Sequence, residues 1–486
     1  MKKLNFTILL CLLFSFFYAQ EYDFSKETKL NSKVPRFKIL GRNVNYIVAQ
    51  RWGAKANYLD LYNAKLKKVS SKEIVLAKDE NLKKIWIQAK QGWLIYTKAN
   101  KEYTLIQARK LDAKFNIKSK PLILDSLVER KDLVQENLRA KYSFNEKFVA
   151  SYLPVFSAGK MNKFSISIYN TALEKVQKVD LQNKFIKEGK YIRLLVLNDG
   201  GFVLVFKDQE STNNFRVYYK AVNADLKIIP LKIENEIFKK LKIEVDNKTK
   251  ELIFAGFNLF REGKKTNAAN AFFSFKLNLE TGVKSNKVTE IFTKAFYQLL
   301  TGKESKKDNI SLQTFYFKSI IPKQDGGYLV FAESFYENVE TKSIPYRSGS
   351  VNSGPSVFSE NTYKTKYFNY NDVIVYTISN NMALESVNII NKRQQSLDDK
   401  GGYSSFFIVN QQDKLNVLFL DEINTNATLK NYEINAHSTI YRDYILNSAQ
   451  NNVMPVVKMS VQTGPNEILI PSFLNNSFSI IKVIFN

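Results

Sequence analysis

Eight times along the 486-residue chain a short polar run leads directly into an apolar segment. The copies are GRNVNYIVAQ from Gly41, KQGWLIY from Lys90, FNEKFVASY from Phe144, NDGGFVLVF from Asn198, NKTKELIFAGF from Asn247, QDGGYLVFA from Gln324, QQDKLNVLFL from Gln411 and GPNEILIPSF from Gly464. Tyr46, Trp93, Phe148, Phe202, Leu252, Tyr328, Leu415 and Ile468 hold equivalent places, about 50 residues apart except for two longer steps. Each copy is preceded by another short apolar or alternating segment, such as RFKILG, KKIWIQA, YIRLLVL or FYFKSII. The pair reads as a β-hairpin, with Asn, Asp and Gly supplying the positive φ angles of a tight turn.

A second signature follows downstream, in LYNAKLKKV from Leu61, KLDAKFNIK from Lys110, IYNTALEKV from Ile168, AVNADLKII from Ala221, KLNLETGVK from Lys276 and TISNNMALESV from Thr377. There Asn or Asp opens a turn between a third strand and a fourth. Four antiparallel strands in each of eight repeats describe an all-β fold, a single β-propeller of eight four-stranded blades over residues 21–486. Seven blades with one unit miscounted, or a pair of β-sandwiches, stay open at this point. The segments NEILIPSF and SFSIIKVIFN supply second and third strands of a last blade, so a segment near Thr28 to Gly41 is expected to complete it.

The two long steps carry insertions. In the first, about 292–311, Phe292, Phe296, Leu299 and Leu300 fall at helical spacing with Gly302 as a stop, which predicts one short amphipathic helix plugging an end of the scaffold. The second, 334–370, mixes Gly, Ser and Pro with many aromatics and reads as a long loop. Tyr336, Tyr346, Phe358, Tyr363, Tyr367 and Tyr370 are residue types that stack on sugars and peptides, and Arg347 and Arg393 add cationic anchors. These eight residues are the candidate binding set, helped by the SLDDKGG turn after Arg393.

Lys2 and Lys3, an apolar run from Phe6 to Phe17 and Tyr18-Ala19-Gln20 read as a signal peptide over residues 1–20, and no later stretch is long and apolar enough to span a membrane. The expected location is the periplasm, the outer membrane surface or the exterior. Cys11 is the only cysteine and lies inside that leader, so a processed chain would have no disulfide, thiolate metal site or cysteine nucleophile. The formal charge is +26, built from 60 Lys and 12 Arg against 46 acids. Two explanations stand: drift toward A+T-rich codons, or a face selected for an anion such as an acidic polysaccharide. No compact Arg cluster interleaved with aromatics marks a nucleic-acid interface.

From Lys366 onward, KYFNYNDVIVYTIS and then NKRQQSLDDKGGYSSFFIVNQQDKLNVLFLDE resemble uncharacterised secreted β-propeller proteins of Bacteroidetes. The resemblance covers Pro322 to Asn426 best. It implies export across the inner membrane and a propeller fold, and it brings no catalytic residues to this sequence.

An enzyme needs a constellation, and few of its parts are present. His437 is the single histidine, which excludes or cripples a His triad, a two-His metal site and a His-x-x-Glu-His arrangement. Paired acids of the kind glycosidases use could come from Asp398 with Asp399, Asp421 with Glu422, or Glu333 with Glu337. The sialidase box, phosphate-binding Gly loops and calcium loops are absent from the sequence, and no metal or cofactor is expected. The expectation is a noncatalytic binding or scaffold propeller with a protein or glycan partner at one face. A glycan lyase or hydrolase and a polyanion-binding adhesion protein are the alternatives.

Overall fold

The computed structural model describes residues 20–485 except 55, 100–102, 118–119, 128–137, 158–159, 183–185, 187–188, 209–212, 234–236, 260–270, 305–311, 313, 349–356 and 436–439. Residues 1–19 of the expected signal peptide, Cys11 among them, and His437 lie outside the described residues. The chain forms eight antiparallel sheets, each built on four strands. Seven of them follow chain order from one edge to the other and constitute blades 1 to 7, over 36–73, 80–127, 139–181, 189–232, 237–291, 315–390 and 407–447.

The eighth sheet closes the ring with both ends of the chain. Val461–Gln462, Glu467–Leu474 and Ser477–Ile484 are joined by Glu21–Phe24 as the outer strand, and Thr28–Lys29 pairs further along Ser477–Ile484. The closing strand thus begins upstream of the expected Thr28 to Gly41 segment. Arg36–Arg42 is instead the first strand of blade 1. Its alternating burial is what an inner strand between two neighbouring blades requires.

A four-stranded sheet with two apolar faces must be covered on both, and eight buried clusters do this, one at each boundary between consecutive blades. The boundary between blades 8 and 1 is as complete as the rest. Phe37 stacks on Phe478 there with ring centroids 3.7 Å apart. Elsewhere Trp86 meets Tyr142 at 5.5 Å, and Phe272 meets Tyr376 at 4.0 Å, so large rings bridge the blades. First strands of successive blades touch one another from blade 1 through blade 6, and blade 8 touches blade 1 the same way. The first strands therefore surround the axis, and the molecule is an eight-bladed β-propeller.

The turns explain the two sequence signatures. In the QDGG and NDGG copies, Asp325 Oδ1 accepts from Gly327 N at 2.8 Å and Asp199 Oδ1 accepts from Gly201 N at 2.9 Å. Gly326 and Gly200 take φ of 88° and 90°, which L side chains avoid. A Cβ on Gly327 would lie 2.5 Å from the Ile378 carbonyl oxygen, so the second glycine is needed for close approach. In the downstream signature, the side chain of Asn63, Asp112 or Asn170 accepts backbone N–H bonds two and four residues on. One residue before the last donor, Leu66, Phe115 and Leu173 hold positive φ while remaining buried. The strained backbone there places an apolar side chain in the adjoining core.

Candidate functional site

Because strands alternate in direction, the turns after first and third strands emerge at one end of the propeller. Connections after second and fourth strands emerge at the other. Three additions to the basic blade fall at that second end. They are the helix between blades 5 and 6, the extension between the second and third strands of blade 6, and the connection from blade 6 to blade 7.

The helix is Lys294–Thr301, where the sequence predicts it. Thr293 Oγ1 accepts from Phe296 N at its start, and Gly302 ends it with φ of 68°. Phe292, Phe296 and Leu300 are buried in the core between blades 5 and 6. Leu299 is 58% exposed and turns away from that core. The helix covers one blade boundary and leaves an apolar residue at its outer side.

The expected loop of 334–370 is a correction. Tyr328–Ser348 and Val357–Ile378 are two continuous strands, paired from Phe335 with Tyr370 out to Ser348 with Val357. The insertion is a two-stranded ribbon projecting roughly 45 Å at about 3.3 Å per residue. A slip in register between Glu333 and Phe335 marks where it leaves the blade. Tyr336 opposes Asn369, Tyr367 opposes Asn338 and Tyr363 opposes Lys342, so these three tyrosines share one face of the ribbon. The backbones of Tyr346, Arg347 and Phe358 pair near its tip, and their side chains lie outside the described residues.

The base of the ribbon is braced. Gln394–Leu397 adds a third strand against Tyr367–Tyr370. Tyr367 donates to Glu340 Oε2 at 2.9 Å, and Lys366 Nζ pairs with Glu337 at 2.5 Å. Asp398 N donates to the Lys366 carbonyl while Lys366 N donates to Asp398 Oδ1, both at 2.9 Å. Tyr370 lies on the opposite ribbon face, with its ring 4.6 Å from that of Phe335. A Cβ on Gly401 would lie 2.4 Å from the Tyr370 ring, so the DDKGG turn is shaped to admit that side chain.

Helix, ribbon base and connection enclose an open cleft of about 1040 Å³. Its walls carry Tyr297 and Leu299 from the helix, Tyr336, Asn369, Asn371 and Asp372 from the ribbon base, and Asn391, Arg393 and Gln395 from the connection. Burial holds the Asp372 carboxyl above its ordinary range, although it accepts from Lys392 N at 3.0 Å and feels Arg393. A site rich in amides, with two tyrosines and an exposed guanidinium, offers many hydrogen bonds and flat faces for stacking.

Beneath the cleft lies a buried polar centre. Glu333, at the root of the ribbon, pairs with Lys318 at 2.8 Å and with Lys392 at 2.9 Å, and Ser405 donates to it at 2.7 Å. Lys392 also donates to the Tyr370 carbonyl at 2.9 Å and to Gln394 Oε1 at 3.0 Å. Gln394 in turn donates to the Leu420 carbonyl at 2.6 Å, joining blade 6 to blade 7. Ser405 holds φ of 84° to reach Glu333, so the centre fixes a strained backbone.

This geometry decides among the acid pairs. Glu333 is buried and neutralised by two lysines, whereas Glu337 is exposed on the ribbon with Lys366. Asp399 Oδ1 accepts from Gly401 N and Ser396 Oγ within its turn, and Asp398 braces the ribbon. Asp421 accepts from Thr428 N and pairs with Lys430. None of the three pairs faces a common substrate space. Among the described residues, no group of three His, Cys, Asp or Glu gathers to hold a metal.

Of the predicted residues, Tyr336 and Arg393 meet in the cleft, Tyr367 and Tyr363 continue along the ribbon, and Tyr370 supports it from behind. Sequence reasoning missed Tyr297 and the amides at 369, 371, 391 and 395. Their signal was compositional: NYND and NKRQQ, dense in Asn and Gln, flank the last two strands of blade 6 within the blade.

No family model and no curated protein matches the chain. Solved structures do resemble it in shape. The WD40 domain of SCAP from fission yeast aligns with a TM-score of 0.42 at 10% identity, over 96% of this chain and 98% of that one. The β-propeller domain of Nup133 from Vanderwaltozyma polyspora gives 0.37 at 11% identity, over 84% and 100%. A prolyl endopeptidase gives 0.35 at 9% identity over 86% of this chain, which spans only 55% of that enzyme. Values this low carry no inference about activity, and the propeller assignment rests on the closed ring of sheets.

Proposed function

We propose that this chain is an exported, noncatalytic propeller that binds a glycan in the cleft between helix, ribbon base and blade connection, with the ribbon extending the contact. The observation that carries the reading is the cleft lining: Tyr297 and Tyr336 as stacking faces, a row of amides, and Arg393 as an anchor for an acidic sugar. Glycan hydrolysis by two acids would need a second carboxylate opposite Asp372, and among the described residues the lining supplies only that one. Export is supported by the charged and apolar leader of the sequence, and no helix of the described residues is long and apolar enough to cross a membrane.

The test is calorimetric titration with neutral and uronate-containing oligosaccharides. Saturable binding is expected, weakened about tenfold by Arg393→Ala and by Tyr336→Ala, with no change in reducing ends or ultraviolet absorbance. Release of reducing ends or unsaturated products would establish the lyase or hydrolase alternative. Capture of a defined protein, with no oligosaccharide bound, would make the partner a polypeptide.

A further inference from the structure

A cation recurs on the first strand of six consecutive blades: Lys38, Lys84, Lys141, Arg193, Lys242 and Lys318. Those strands surround the axis and touch in sequence around it, so the six cations are arranged in a ring about the axis. The arrangement is visible in their mutual effects. Lys141 is pushed down to about 8 by burial, helped by Arg193 on the next blade and Lys242 two blades away. Lys242 is likewise pushed down to about 8, by burial with Arg193 and Lys318. Lys38 is lowered by burial and by Lys84. Charges that sense each other across an intervening blade share the central space.

Counter-charge is sparse. Glu244 pairs with Arg193 at 2.6 Å and also offsets Lys141 and Lys242, Glu146 faces Lys84, and Glu333 is divided between Lys318 and Lys392, so these acids serve the six cations only in part. Lys141 donates to the Leu194 carbonyl at 2.6 Å, a neutral acceptor. Lys38 and Lys242 have no hydrogen-bond acceptor or ion pair among the described residues. The Nε of Arg193 is buried without a partner, while its Nη2 holds Glu244. Half-buried cations set against one another lower stability unless an anion completes the arrangement. On an outer surface the same lysines would be solvated and would carry no such cost.

We propose that the axial channel binds a compact multivalent oxyanion, one carrying several phosphate or sulfate groups, held by Lys141, Arg193 and Lys242 and surrounded by Lys38, Lys84 and Lys318. This site touches the cleft only through Glu333, which Lys318 shares with the cleft-lining Lys392, and it stands whether or not the cleft binds a glycan. Ammonium and guanidinium donors suit oxyanions because each charge-assisted bond is short and strong, and several donors on rigid strands need little reorganisation.

The test is titration of the intact protein with inorganic tripolyphosphate in one arm and a polysulfated disaccharide in the other, at low and at physiological salt. Saturable binding in either arm with a rise in Tm is expected, and the arm that binds names the source of the oxyanion. The Lys141→Met, Lys242→Met double variant should bind at least about tenfold more weakly while unfolding at the same or a higher temperature, because it relieves repulsion. Lys78→Met, Lys232→Met, on exposed positions away from the axis, and Arg393→Ala in the cleft should bind as the parent does. No saturable binding in either arm overturns the proposal, as does equal weakening by the exposed-lysine control or by Arg393→Ala.

Discussion

Glu333 and Lys392 are buried together, and each makes the other tolerable. Substituting Glu333 by Ala leaves two ammonium groups beside a vacated acceptor, and a broken buried pair costs about 3–5 kcal/mol. Chemical denaturation should show that loss for Glu333→Ala, and a similar one for Lys392→Met, which strands the carboxylate. Combining the two should cost less than the sum, because neither charge is then left alone. Lys141 and Lys242 make the opposite contribution. Their folded values near 8 lie below the ordinary lysine value of 10.5, so between those limits the unfolded chain binds more protons than the folded one. Raising the pH from about 7.5 to about 9.5 should therefore increase the stability contributed by these two groups. In a buffer free of polyanions, Tm corrected against the Lys141→Met, Lys242→Met variant should rise over that window; a flat or falling difference contradicts the burial of these side chains.

The ribbon is the element that departs most from what the sequence suggests. Its strands run YENVETKSIPYRS and VFSENTYKTKYFNY, with polar residues on both faces. A strand solvated on both sides lacks the period-two apolar signal by which strands are recognised, and the Gly, Ser and Pro between them strengthened the reading as a loop. The hairpins inside the blades were legible for the complementary reason: one polar turn joins two buried runs. The helix was legible from Phe292, Phe296 and Leu300, which share a face, and Leu299 was assigned to that face although it points outward. The Glu333 centre was not legible, since Lys318, Lys392 and Ser405 reach it from separate segments of the fold. Because the described side chains of the ribbon bury little beyond Phe368 and Asn369, shortening it by removing 339–366 and closing with a two-residue turn should change Tm by only a few degrees. Retained oligosaccharide binding with unchanged affinity would show that the ribbon beyond its base does not extend the contact.

At the scale of the molecule, closure explains why so large a chain needs no disulfide among its described residues. Glu21–Phe24 and Thr28–Lys29 tie the start of the described chain to Ser477–Ile484, so no blade is left with an open apolar face. Ser25 completes the join, with its N–H donating to the Ile480 carbonyl at 2.9 Å and its Oγ accepting from Ile480 N at 2.8 Å. The ring then sorts its surfaces by topology: side-chain and backbone contacts from Asn145 to Asn198 and from Asn198 to Asn247 link the turns at one end, while helix, ribbon and cleft crowd the other. The basic composition, open to two explanations as a sequence, gains a location, since six cations line successive first strands. The central functional claim is that the helix, ribbon base and 391–395 connection form one binding surface. Hydrogen–deuterium exchange of the protein with and without a saturating oligosaccharide tests it most directly. Protection is predicted at 294–303, 335–337, 369–372 and 391–395 together. Protection confined to the opposite end, around Asn145, Asn198 and Asn247, would contradict it.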